Sequence, residues 1–180
     1  MDSERQLIER VLQKDPKAQE AMYRHFASKM YGVCLRFARN SMEAEDILQE
    51  GFIKVFTYLK DYRYEGSFEG WVRKTFVNTA INFYRRKSKE LVEVSIDQSE
   101  ISIPSQSTII ENMSANELLG LIQKLPEGYR LVFNLSVVEG YTHKEIASLL
   151  GISENTSKSQ LSRARNALQL KIQQQKSKNK

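Results

Sequence analysis

The residues with the plainest chemistry lie between 141 and 168, YTHKEIASLLGISENTSKSQLSRARNAL. Asn155, Thr156, Ser157, Lys158, Ser159, Gln160, Ser162, Arg163 and Arg165 are all hydrogen-bonding or positive, and no acid occurs from 155 to 180. On one helix such side chains suit phosphates and base edges in a DNA major groove. The elements that must hold them are legible alongside. Ile146, Ala147 and Leu150 form one apolar stripe. Gly151 follows, where a helix stops most easily because Gly tolerates positive φ. Ile152 is expected as a buried plug, and Ser153 as the cap of the next helix, with Thr156 at its third position. Leu161, Ala164 and Leu168 recur at i, i+3 and i+7, the inward face of that helix. The stretch predicts a helix-turn-helix with a basic second helix. Its candidate duplex contacts are Thr156, Ser157, Lys158, Gln160, Arg163 and Arg165. A basic face alone is usually only a solvated one. Here the turn, the cap and the acid-free run coincide and favour DNA binding.

Composition narrows the remaining classes. The formal net charge of +5 over 180 residues favours a polyanionic partner. Its distribution is uneven. Residues 90–123 contain no Lys or Arg but hold Glu90, Glu93, Asp97, Glu100, Glu111 and Glu117. His25 and His143 are the only histidines, and neither has a second ligand at metal spacing; both read as surface positions. No Gly-rich phosphate loop and no nucleophile motif is present, so no catalytic residue, metal, cofactor or small-molecule substrate is expected. The single Cys34 excludes an internal disulfide and reads as a buried, inert thiol. No apolar run approaches the ~20 residues that span a membrane, and the polar N-terminus lacks a signal-peptide core. A cytoplasmic location without membrane insertion is expected.

The hydrophobic pattern is helical nearly throughout. Leu7, Ile8, Val11 and Leu12 predict a short helix that stops before Asp15-Pro16. A second is predicted over about 17–39, with Ala21, Met22, Phe26, Met30, Val33 and Phe37 inward. A third is predicted over about 42–59, with Ile47, Leu48, Phe52, Val55 and Phe56 inward. After a polar-aromatic loop, Ser67 caps a fourth that runs to about 87. The segment from 88 to about 111 is rich in Ser, Ile, Gln and acids, contains Pro104, and reads as a linker. Helices resume near 113, one with Leu118, Leu119, Leu121, Ile122 and Leu125, the next starting at Pro126 with Tyr129, Leu131, Val132, Phe133 and Leu135. The last ten residues, Gln- and Lys-rich, are expected to fray. The expected fold class is all-α: two small helical domains joined by a flexible acidic linker, the second a helix-turn-helix. The boundaries are 1–88, a linker 89–112, a second domain 113–172, and a basic tail 173–180.

Two further faces could bind partners. On the fourth helix Lys74, Asn78, Asn82 and Arg85 form a polar stripe at i, i+4, i+8 and i+11, opposite Trp71, Val72, Thr75, Phe76, Thr79, Ala80 and Phe83. Asn and Arg so spaced can follow a nucleic-acid backbone, and Tyr62 and Tyr64 before them could stack unpaired bases. Taken alone, the helix reads rather as a solvated face over an aromatic core, with Trp71 in that core. On the third helix Asp46, Gln49, Glu50 and Ile53 share a face outside the apolar stripe. Acids there suit the helix dipole. An Ile beside them also suggests a docking patch for a basic protein helix.

Taken together, four ordered blocks resemble the sigma-70 family of bacterial RNA polymerase sigma factors, and within it the extracytoplasmic-function (ECF) group. They are AEDILQEGFIKVF (44–56), GSFEGWVRKTFVNTAINFYRR (66–86), LPEGYRLVFNLSVVEGYTHKEIASLLGIS (125–153) and TSKSQLSRARNAL (156–168). Their order matches the family's regions 2.2, 2.3–2.4, 4.1 and 4.2. The resemblance implies that Asp46, Gln49, Glu50 and Ile53 dock on the core polymerase. It implies that Arg63, Tyr64, Trp71, Lys74, Asn78, Asn82 and Arg85 engage the minus-ten element, where capturing a flipped base couples recognition to melting. The helix-turn-helix would enter the major groove at the minus-thirty-five element. Many members carry Val where Ser157 stands and Arg where Gln160 stands. Gln pairs well with adenine and Arg with guanine, so no family promoter consensus is carried over. The acidic linker would thread channels that otherwise hold nucleic acid, or serve only as a tether. Members are commonly held inactive by an anti-sigma factor, which makes one a candidate partner beside core polymerase and promoter DNA. The rival reading is a stand-alone helix-turn-helix regulator, which usually binds duplex sites as a dimer.

Overall fold

The computed structural model describes residues 4–90 and 114–178, with the side chains of 4–87 and 114–174. Every regular element among them is helical. The chain divides into two units, Met1–Phe83 and Tyr84–Lys180. The predicted linker falls largely at 91–113, outside the described residues.

The first unit contains α1 (Glu4–Leu12), α2 (Pro16–Phe37), α3 (Ser41–Tyr58), a 3-10 turn Leu59–Asp61, and most of α4 (Phe68–Glu90). Short polar side chains set the helix starts. Asp15 accepts from the backbone N–H groups of Lys17 and Ala18, and Pro16 needs no donor at the first helical position. The same carboxylate takes two hydrogen bonds from the Arg10 guanidinium, at 3.0 and 2.8 Å, which pins the α1–α2 corner. Asn40 accepts from Glu43 N–H at 2.9 Å, while the Glu43 carboxylate accepts from Arg39 N–H at 2.9 Å. Ser67 accepts from Gly70 N–H at 3.1 Å and caps α4 as expected.

The core of this unit is built by α2, α3 and α4. Met22, Phe26, Met30, Val33 and Phe37 are buried along α2, with Ala18 in place of the expected Ala21, which is exposed. Cys34 is fully buried, and burial pushes its thiol up to about 12, so it is inert as expected. On α4 the buried face is wider than the predicted stripe. It takes in Val77 and Ile81 as well. Gly51 on α3 makes the close approach possible, since the Phe76 ring occupies the space where a side chain at 51 would begin. Phe76 also meets Phe52 edge-on, with ring centroids 5.2 Å apart. Gly51→Ala is therefore expected to destabilise the unit by up to about 2 kcal/mol. Overpacking of about 1–3 kcal/mol outweighs a helix-propensity gain of about 1 kcal/mol. Urea unfolding would read it as a lower midpoint at unchanged m-value.

The second unit contains α5 (Ala115–Gln123), α6 (Glu127–Phe133) continuing into a π-helical turn Asn134–Val138, α7 (His143–Leu150) and α8 (Glu154–Lys178). Ser114 and Glu117 form a reciprocal capping box on α5, as Thr142 and Glu145 do on α7. The π turn was not legible as such. Asn134 Nδ2 donates to Arg130 O at 2.9 Å, and Glu139 N–H reaches Asn134 O at 2.9 Å, which widens the last turn. Leu121, Ile122 and Leu125 pack against Ala164, Leu168 and Ile172 of α8. Ile172 corrects the expected fraying. It lies one turn beyond Leu168 on the same stripe, so burial carries the helix on through the start of the predicted basic tail, to Lys178.

Candidate nucleic-acid interface

The turn between α7 and α8 forms as the sequence indicated. Gly151 adopts φ +69° and donates its N–H to Ala147 O, and Ile152 N–H reaches the same carbonyl at 3.1 Å. Ile152 is half-buried, less enclosed than the plug expected. Ser153 Oγ accepts from Thr156 N–H at 3.0 Å and starts α8.

Packing then decides which arc of α8 faces outward. Leu161, Ala164 and Leu168 are buried, as read. Ser157 is buried with them at 0% exposure, its hydroxyl 2.9 Å from His143 Nδ1. This removes Ser157 from the duplex-contacting set. It is a tie between α8 and the first residue of α7, and His143 is not the surface position expected. Thr156 is half-buried, with its hydroxyl 2.8 Å from Ser153 Oγ. Gln160 is half-buried with its amide against Gly128 of α6. Lys158, Arg163 and Arg165 are exposed. Between them Asn155, Ser159 and Ser162, spaced i, i+4 and i+7, occupy the arc opposite Ser157, Ala164 and Leu168 and are also exposed. These three belong to the polar run of the sequence but not to the predicted contacts. Only the burial of Ser157 centres the face on them.

The first unit presents a second polar surface. Lys74, Asn82 and Arg85 are exposed along α4, and Asn78 between them is half-buried. The preceding loop is held by an aromatic cluster. Tyr62 is only 8% exposed, donates its hydroxyl to Gly66 O at 3.0 Å, and packs on Phe68 and Trp71. Burial first, then the nearby Glu4 and Tyr64, raise its phenol. Tyr62 is therefore scaffold, not a platform for bases. Tyr64 is half exposed at left-handed φ +58°, with the Arg5 guanidinium 5.5 Å from its ring centroid. Arg63 beside it is exposed. Trp71 is half-buried, stacked on Phe68 with centroids 5.8 Å apart, so one side serves the core and the rest reaches solvent. Nothing in the sequence separated Tyr62 from Tyr64; the backbone did so, turning into the left-handed region at Tyr64 while Tyr62 is tied inward to Gly66.

On α3, Asp46 and Gln49 are exposed and Ile53 is 64% exposed. Glu50 is partly buried and already paired with Lys54 at 2.8 Å. Met42, 72% exposed and one helical register before Asp46 and Ile53, joins this face and was not foreseen. The signal available for it was the i, i+4, i+11 spacing. Among the described residues no group of His, Cys, Asp and Glu is placed to hold a metal, and no helix is long and apolar enough to cross a membrane.

Comparison with known proteins gives matches to two family models in one chain. Sigma-70 region 2 matches residues 22–90, and Sigma-70, region 4, matches residues 115–168. The chain is 27% identical over 184 residues to the RNA polymerase sigma-H factor of Pseudomonas aeruginosa, covering 96% of this chain and 95% of that one. It is 27% identical over 178 residues to the ECF RNA polymerase sigma-E factor of Escherichia coli, covering 93% of each. The sigma factor RpoE from Bartonella quintana, solved in complex with the anti-sigma factor NepR, has a similar fold. The TM-score is 0.52 at 19% identity over 86% of this chain and 96% of that one.

Proposed function

From the membership of this chain in the sigma-70 family of RNA polymerase sigma factors, in its ECF group, we infer that it binds core RNA polymerase and directs promoter recognition and transcription initiation. It is an initiation factor and not an enzyme. The observation that carries this is the presence of both matches, region 2 before region 4, in a single chain. Its partners are core polymerase and promoter DNA, which places its action in the cytoplasm. The relative RpoE was solved with an anti-sigma factor, and a protein of that kind is the proposed negative regulator here.

The division of labour is our proposal. Residues 1–88 bind core and the minus-ten element, 89–112 join the domains, and 113–172, with the helix beyond, bind the minus-thirty-five element. Asp46, Gln49 and Ile53, with Met42 and the Glu50–Lys54 pair, form the core-binding face. Exposed apolar side chains rimmed by acids on one helix suit a basic helical partner. Arg63, Tyr64, Trp71, Lys74, Asn78, Asn82 and Arg85 take the minus-ten strand. Exposed aromatic faces stack on extruded bases, and the polar stripe follows the backbone. Lys158, Arg163 and Arg165 hold phosphates at the minus-thirty-five duplex. Asn155, Ser159 and Ser162 stand over base edges between them, with Thr156 and Gln160 flanking.

Run-off transcription from a mixed genomic template, with core polymerase alone and with this protein added, tests the reading. New transcripts from discrete starts are expected. Duplex binding by the protein alone, with no new transcripts, would replace the reading with a stand-alone regulator.

A further inference from the structure

An open groove of about 400 Å³ runs along α8 beside the start of α7. Its walls include His143, Lys158, Ser162 and Arg165, with Asn166 and Gln169 farther along, and no acid is among the lining residues. Lys158 and Arg165 are two turns apart on one side of α8, so both reach the same trough. His143 enters from the other helix and is fixed there by Ser157, 2.9 Å from Nδ1. The choice of a hydroxyl as partner has a consequence. A serine hydroxyl can donate to a neutral ring nitrogen or accept from a protonated one, so the tie survives a change of charge on the imidazole. A carboxylate or an ammonium in that place would favour one state.

We propose that this groove seats a backbone phosphate of duplex DNA, and that His143 makes duplex affinity proton-linked. The inference rests on the initiation-factor reading above and adds a regulated contact to it. Three potential cations converge on one trough, and histidine is the side chain whose charge changes nearest neutral pH. A phosphate seated there favours the imidazolium, so the bound complex holds the proton more firmly than the free protein. The sign follows. Binding that raises a group's pKa strengthens as pH falls through the bound value, and levels off below the free value. The charged and titratable groups around His143 are known from each neighbouring element. Lys144 and Glu145 lie on α7, with the Glu145 carboxylate accepting from Thr142 N–H and hydroxyl at 2.8 and 2.7 Å. Glu139 and Tyr141 precede it, the Tyr141 phenol raised by burial and then by Glu139 and Glu145. Lys158 and Arg165 face it from α8. The two acids oppose a phosphate in the groove, Lys158 and Arg165 favour it, and the pH dependence is carried by the imidazole that enters beside them.

The test is equilibrium binding of holoenzyme, reconstituted with the full chain, to a promoter fragment obtained from the run-off experiment. Affinity is measured at about pH 6 and about pH 8 over a range of salt. Wild-type holoenzyme is expected to bind about threefold to tenfold more tightly at the lower pH, and His143→Gln to lose most of that difference. The salt slope of His143→Gln should be shallower than wild type by about one at the lower pH and by little at the higher. Arg165→Gln, at an exposed position where no folding defect is expected, should flatten the slope at both pH values. Ser157→Ala should weaken the pH dependence by freeing the ring while leaving the cation in place. Equal pH dependence and slope in wild type and His143→Gln would overturn the proposal, as would an unchanged slope in Arg165→Gln. A wild-type holoenzyme that binds no promoter at all would overturn the initiation-factor reading itself.

Discussion

The Asp46→Lys/Glu50→Lys variant is expected to bind core polymerase at least about tenfold more weakly than wild type while remaining folded. Most of the loss should come from Asp46. That side chain is exposed, so its charge is offered entirely to a partner. Glu50 is partly buried and already satisfied by Lys54 at 2.8 Å, so reversing it mainly breaks a pair within α3. Ile53→Asp should match Asp46→Lys in effect, because a charge at a 64% exposed apolar position costs the free protein little and must be desolvated in the complex. Fluorescence anisotropy of labelled protein titrated with core polymerase reads all three. Unchanged affinity in Asp46→Lys and Ile53→Asp would remove this face from the interface.

Removing Lys158 and Arg163 together is expected to flatten the salt dependence of promoter binding by about 1.8 in the log–log slope, about 0.9 for each phosphate no longer neutralised. Affinity at physiological salt should fall about tenfold per residue, with little change in sequence preference, since phosphates carry no base identity. Both side chains are exposed and neither supports the core, so the helix should remain intact. Asn155→Ala or Ser162→Ala should behave in the opposite way, altering base preference at a nearly unchanged slope. A steep slope in the Lys158/Arg163 variant would place the duplex contacts on another surface of the unit.

Local features of this chain were legible because their causes are short-range. Ser67 and Ser153 cap their helices as read, since a cap depends only on a hydroxyl two or three residues from the donor it accepts. Gly151 terminates α7 for an equally local reason, its left-handed φ. Apolar spacing identified the buried faces of α2, α3 and α8 with errors of single residues, such as Ala21 for Ala18. The candidate interfaces were harder. Lys158, Arg163 and Arg165 are long and charged, and the exposed surface is where such side chains end up almost regardless of context. Serine and tyrosine carry no such constraint. Ser157 reads as a surface residue until a partner fourteen positions earlier satisfies its hydroxyl in the interior.

What the sequence by itself determined, then, is the helical class of the two units, where most of their helices begin, the acid-free helix after the turn, and the family likeness carried by four ordered blocks. What only the tertiary structure decided is which of several polar side chains remain available. It buried Tyr62 and left Tyr64 outside, set Gln160 against Gly128, exposed Met42 beside Ile53, and closed Ser157 onto His143. The physical reason is that periodicity and capping are properties of one helix. The fate of a small or amphipathic polar group depends on whether another element, distant in sequence, brings a partner within hydrogen-bonding reach.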